Sequence, residues 1–208
     1  MFNSKDHWNK IYNEKQPHEV SWTQSIPTTS LNFIEEFNIP KDANIIDIGG
    51  GDSKLVDHLL MQGYQNITVL DISEKAINRA KHRLGGHASK VQWIISDINE
   101  FIPTVKYDYW HDRAAFHFLI TENEIDHYYR LSLSALSNNG FMTIGTFSEK
   151  GPDKCSGLPI KKYSESSLTE KINNGFLKIK CIEEIHITPF KSEQSFLFCN
   201  FKKKQIIH

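Results

Sequence analysis

Cysteine, net charge and long apolar runs are all scarce in these 208 residues. Cys155, Cys181 and Cys199 form no closely spaced pair of the metal-knuckle kind and no disulfide framework. No metal site is therefore expected, and the compartment is read as reducing. Lys and Arg number 24 against 25 Asp and Glu, a formal charge of -1, so nothing pulls the whole chain towards nucleic acid or an anionic membrane. No Arg/Lys stripe with interleaved aromatics stands out either. No apolar run reaches the roughly 18 residues that mark a membrane-spanning helix. The opening "MFNSKDHWNK" holds no apolar core of a secretory signal. A cytoplasmic protein built as one domain with a small elaboration is the expectation. "FKKK" at 201–204 is read as the solvated end of a strand in preference to a basic patch.

What is present alternates. "TTSLNFIEEFN" at 28–38 spaces Leu31, Ile34 and Phe37 as a helix does, with Pro40 as its stop. "ANIIDIG" reads as a buried strand, and "DSKLVDHLLMQG" as a helix with Leu55, Val56, Leu59 and Leu60 on one face. "NITVLDIS" is a second strand, "EKAINRAKHRLGG" a helix, "VQWIISDI" a third strand and "YDYWHD" a fourth. "TENEIDHYYRLSLSALSNNG" is a long helix opened by a capping box of Thr121 and Glu124. "GFMTIGTF" is a fifth strand. A second box, Ser167 with Glu170, opens a helix at about 168–174. "FLKIKCIEEIHITP" and "QSFLFCNFKKK" finish the chain as an antiparallel pair. This is an α/β pattern: a mostly parallel seven-stranded sheet with a C-terminal antiparallel strand and helices on both faces. Residues 1–27 are read as a cap or lid, 28–208 as the domain, and 148–163 as an elaborated loop.

Ligands of such sheets sit beyond the carboxyl ends of the strands. The first strand ends in "DIGGGDS". A dinucleotide turn wants G-x-G-x-x-G; Gly49 and Gly51 fit, but Lys54 takes the last place, where a side chain obstructs close helix packing. A turn that passes close to a smaller ligand remains, with Gly49 and Gly51 carrying more of it than Gly50. Asp71 closes the second strand, where a carboxylate can accept both hydroxyls of a ribose. Asp97 closes the third and can accept from an adenine amino group, with Ile72 and Ile98 sandwiching the ring. The competing reading of each acid alone is a helix N-cap.

"NIIDIGGGDS", "VLDIS" and "ISDI" resemble the first three motifs of class I S-adenosylmethionine-dependent methyltransferases. The resemblance spans nearly the whole chain, the terminal strand pair included. It implies that Asp47 helps hold the amino acid part of the cofactor and that Gly49 and Gly51 pass beside its methionine portion. It implies ribose for Asp71 and the adenine amine for Asp97. The family's usual third glycine is Ser53 here. "DHWNKIYNEKQPHEVSW", "WHDRAAFHFL" and "FSEKGPDKCSGLPIKKY" are similar to a narrower group of small bacterial methyltransferases. Eukaryotic protein-lysine methyltransferases share a looser form of this layout, and Asp112 with Arg113 fits their acid-basic pair after the fourth strand.

The implied reaction asks the protein to align an acceptor and to exclude water. Asp112 can orient an amine or act as its base, and His111 can move a proton near neutral pH. Arg113 and His117 are read as acceptor-side residues; the bland alternatives are an Arg113–Asp112 pair and a packed core for "AAFHFL". Trp8, Tyr12 and Trp22 need an apolar home, either as a lid, with Tyr12 and Trp22 lining the site, or as a helix on the sheet edge. Cys155 has no evident base partner and is read as a loop cysteine without a role. The acceptor is a protein lysine amine or a small-molecule nucleophile. A catalytically silent S-adenosylmethionine-binding subunit and an NAD-dependent oxidoreductase stay open.

Overall fold

The computed structural model describes residues 3–205; residues 1, 2 and 206–208, which the expected cap and domain boundaries include, lie outside them. Five parallel strands and their helices come in the expected order. They are β1 (Asn44–Ile48), β2 (Asn66–Asp71), β3 (Val91–Ile95), β4 (Tyr107–Arg113) and β5 (Leu136–Phe147). A short hairpin, β6 (Lys154–Cys155) and β7 (Leu158–Pro159), precedes the long β8 (Phe176–Ile187) and β9 (Glu193–Lys203). The sheet runs β3-β2-β1-β4-β5-β9-β8, seven strands, with β9 antiparallel to both neighbours. The strand order reverses between β1 and β4, so a crevice opens at the carboxyl ends there.

Both faces are covered. Ile46 and Ile48 of β1 join Trp110, Ile144 and the buried sides of α5 (Glu122–Ala135) and α6 (Glu165–Ile172). Ile45, Ile67 and Val69 face the other layer, against Ile34 of α2 (Thr28–Glu36), Leu55 and Leu59 of α3 (Leu55–Met61) and Ile77 of α4 (Glu74–Leu84). Burial on both faces explains why β1 reads as a continuous apolar run and not as an alternation. Helix α1 (Ser4–Glu14) lies apart from these layers. Its Asn9 side chain accepts from Ser73 Oγ (2.9 Å), and Arg79 of α4 donates to the Lys15 carbonyl (2.6 Å).

Several expectations need correction. The Thr121–Glu124 box forms, but the second box lies three residues earlier, with Ser164 as cap and Ser167 as its partner. Helix α2 stops before Pro40, because Asn38 turns left-handed at φ 50°. The 148–163 loop is partly ordered: Ser156 and Gly157, both at positive φ, make the two-residue turn between β6 and β7. Lys203 is not solvated; it is buried and donates to the Leu136 carbonyl (2.7 Å). Cys181 and Cys199 are joined in a disulfide, where none was expected. Their spacing in the chain carries no signal; the register of β8 on β9 sets them directly opposite.

Candidate active site

After β1 the backbone turns through Gly49 at φ 64° and Gly51 at φ 42°. A Cβ on Gly49 would sit 2.6 Å from the Ala115 methyl, and one on Gly51 would sit 2.7 Å from Asp71 Oδ2 and 3.1 Å from the Tyr12 hydroxyl. Gly50 matters equally, against expectation: its Cβ would meet Asp47 Oδ2 at 2.5 Å and Val69 at 2.9 Å. All three positions are closed to any side chain. Arg83 braces the turn from outside, donating to the Asp52 carboxylate, the Ser53 carbonyl (2.8 Å) and both Asp57 oxygens (2.9 Å each). Lys54 obstructs nothing, since it is exposed and α3 begins only at Leu55.

The three acids are not helix caps. Ser73 caps α4, while buried Asp71 accepts from the Ser73 amide through Oδ1 (2.7 Å). Burial, helped by the nearby Asp47 charge, pushes the Asp71 carboxyl up to about 7. Asp97 lies two residues beyond the end of β3 and accepts from the Asn99 amide (2.8 Å). Asp47 is buried and accepts from His111 Nδ1 (2.7 Å).

These groups border two adjoining chambers. The larger, about 500 Å³, is lined by Asp71, Ile72, Asp97 and Ile98 on one side, and by Trp8, Trp22, Phe118, Cys155, Leu158 and Pro159 on the other. The smaller, about 190 Å³, is lined by Asp47, His111, Asp52, Arg79 and Arg83. Gly49, Tyr12, Trp22 and Arg113 border both, so the glycine turn is the sill between them. The larger chamber offers carboxylate acceptors flanked by isoleucines; the smaller is charged. A ligand with an adenosine-like body and a zwitterionic tail has the matching chemistry.

Residues 46–142 match the family model described as a methyltransferase domain. The chain belongs to the class I methyltransferases. It is 27% identical over 170 residues to malonyl-[acyl-carrier protein] O-methyltransferase 1 of Ilyobacter polytropus, covering 76% of this chain and 61% of that one. It is 25% identical over 124 residues to the eEF1A lysine and N-terminal methyltransferase of Mus musculus, covering 59% of this chain and 18% of that one. The chain thus spans less than two thirds of the length of either relative. Its fold superposes on N-methyltransferase NodS of Bradyrhizobium japonicum WM9, solved with S-adenosyl-L-homocysteine. That match has a TM-score of 0.74 and 13% identity, and covers 98% of this chain and all of that one.

In this methyltransferase the segment after β4 departs from its expected roles. Asp112 is fully buried. Its Oδ1 accepts from the amides of Ala115 (3.2 Å) and Phe116 (3.0 Å), and its Oδ2 from the Tyr128 hydroxyl (2.8 Å), which itself accepts from Trp110 Nε1 (2.9 Å). Burial raises the Asp112 carboxyl to about 6. The expected Asp112–Arg113 pair does not form; Arg113 donates from Nη1 to the Trp22 carbonyl (2.9 Å) and stacks on Phe196. His111 lines the smaller chamber, not the larger, and its second nitrogen lies 2.8 Å from Ser30 Oγ. His117 is a correction. Its ring stacks on Phe147 at 4.5 Å, away from the lining of the large chamber, with both nitrogens buried and without a hydrogen-bond partner among the described residues. Burial, with the Arg113 charge adding, drives its pKa down to about 3.

Tyr12 and Trp22 do line the cleft, and Trp8 joins them: Trp8, Tyr12, Trp22 and Phe118 form one aromatic group with ring centroids 5.1–6.5 Å apart. Helix α1 therefore sits over the strand ends and not on the sheet edge. Arg83, Tyr128 and Phe118 had no sequence signal that separated them from ordinary helix and core residues. Cys155, read as a loop cysteine, is a buried wall residue whose thiol is pushed up to about 11 by burial.

Proposed function

We propose that this protein transfers a methyl group from S-adenosylmethionine directly to a nucleophilic acceptor, either a protein lysine amine or a small molecule. One observation carries the reading: buried carboxylates at successive strand ends beside a turn that tolerates no side chain. When bound, the cofactor supplies a methyl group already activated on a sulfonium. Asp71 would accept from the ribose hydroxyls and Asp97 from the adenine amine, with Ile72 and Ile98 against the ring. Gly49 and Gly51 would let the backbone pass beside the methionine portion, and Asp47 would take the ammonium in the smaller chamber. The space fits: a Cβ at any of the three glycines would intrude on the groups that make this cradle.

The chain's own work is then alignment and drying. We assign Asp112 to positioning: it holds the Ala115–Phe116 turn, whose Ala115 methyl packs onto Gly49. His111 orients Asp47. Residues 1–27 act as a lid, supported by Trp8, Tyr12 and Trp22 on the cleft wall. The two relatives are named for different acceptors, so they select neither. A silent subunit and an oxidoreductase are not favoured, given the matched methyltransferase domain. Calorimetric titration tests the assignment: S-adenosylhomocysteine binds and NAD gives no heat. The reverse result overturns it.

A further inference from the structure

Beyond Gly49 the larger chamber has an acceptor side whose wall is Trp8, Trp22, Phe118, Cys155, Leu158 and Pro159. Helix α1 and the β6–β7 hairpin roof it. Its charged groups are few and unequal. Asp112 already accepts three hydrogen bonds. Glu124 is engaged through Oε2 with both the amide and the hydroxyl of Thr121. Asp71 and Asp97 stand on the opposite wall. That leaves Arg113. Its Nε and Nη2 are buried without a hydrogen-bond partner, and no carboxylate among the described residues lies within ion-pair distance of it. Glu184 and Asp47 exert an attractive field, yet neither touches it. An apolar chamber bordered by an uncompensated guanidinium favours an anion and penalises an ammonium.

We propose that the acceptor is a small molecule with an apolar body and an anionic oxygen or sulfur nucleophile, selected by Arg113, and not a lysine of a folded protein. The proposal rests on the methyl-transfer reading above. Its chemistry balances without a base. A lone pair of the anion forms the new bond to the methyl carbon. The methyl–sulfur bond breaks and leaves its electron pair on sulfur. The cationic donor becomes a neutral thioether and the anionic acceptor a neutral ester or thioether, and no proton has to leave. This matches the wall, where no free base faces the chamber: His111 lies in the other chamber, His117 is turned away, and Cys155 is held as a thiol.

The test is calorimetric titration of the full chain saturated with S-adenosylhomocysteine at neutral pH. The probes are phenylacetate and thiophenol against phenethylamine, phenylacetamide and a lysine peptide. The anions bind at least about tenfold more tightly than the amine and the amide. Arg113→Leu abolishes that preference and Arg113→Lys keeps part of it, while cofactor-product affinity changes by less than about threefold in both. Because Arg113 also holds the Trp22 carbonyl, retained S-adenosylhomocysteine binding serves as the control for folding. Equal or tighter binding of the amine or the peptide overturns the proposal. So does an anion preference that survives Arg113→Leu, or the absence of any anion binding. Loss of S-adenosylhomocysteine binding by the unaltered protein would instead remove the methyl-transfer reading itself.

Discussion

The two halves of the large chamber are built differently. The half at β1–β3 is made of short contiguous motifs, each a strand end and the one or two residues after it, and its polar groups are carboxylates. The half beyond β4 is assembled from α1, the segment after β4 and the β6–β7 hairpin, drawn from distant parts of the chain, and it is aromatic and aliphatic. A cofactor half can rest on local geometry, because the strand ends themselves aim its groups. An acceptor half needs the fold to bring its walls together.

The sharpest way to break this contrast is Asp71→Ala. Losing two hydrogen bonds to a buried carboxylate weakens S-adenosylhomocysteine binding by about a hundredfold or more, with little change in melting temperature. Unchanged affinity in calorimetry removes the ribose assignment.

The halves also respond oppositely to acid. On the acceptor side, His117 has a folded pKa of about 3, below its unfolded value, so the stability it supports is lost as pH falls below about 6.5. Asp71 has its folded value raised to about 7, so in the range from about 7 down to 4 the folded state takes up the extra proton and gains stability. At pH 5, His117→Phe therefore recovers about 2 kcal/mol relative to its effect at pH 7. Urea melts of both proteins at the two pH values measure it, and an equal difference at both would dismiss the buried neutral imidazole.

Trp8→Ala comes next. It opens the acceptor wall and raises the acceptor KM by about tenfold, while S-adenosylhomocysteine affinity stays within about threefold. An equal loss of both would make α1 part of the cofactor half. Asp112→Asn is the smallest. An amide oxygen still accepts from Ala115 and Phe116, so kcat falls by about threefold or less. A fall beyond a hundredfold, measured in single turnovers, would restore Asp112 as a base.

Much of the first half was legible. Asp47, Asp71 and Asp97 come where strand patterns end in plain sight, and glycines after a buried strand have a restricted set of uses. Reading Gly50 as less important failed because its neighbours, Asp47 Oδ2 and Val69, come from the strand ladder. The second half was legible only as residue types. "WHDRAAFHFL" marked the right place, yet its polar residues His111, Asp112, Arg113 and His117 each have different surroundings. Alternation along β4 sends His111 and Asp112 to opposite faces, and the left-handed turn at Ala114 redirects the chain towards Phe116.

By itself, the amino-acid order determined the alternation of strands and helices, the glycine turn and the acids beside it, because each depends on periodicity or backbone freedom within a few residues. Only the tertiary structure decided the rest. It joined Cys181 to Cys199 through strand register, paired His111 with Asp47, engaged Asp112 with Tyr128 and left Arg113 without a counter-ion among the described residues. Those outcomes depend on which face a side chain takes and what a distant segment places there, and short-range pattern carries neither.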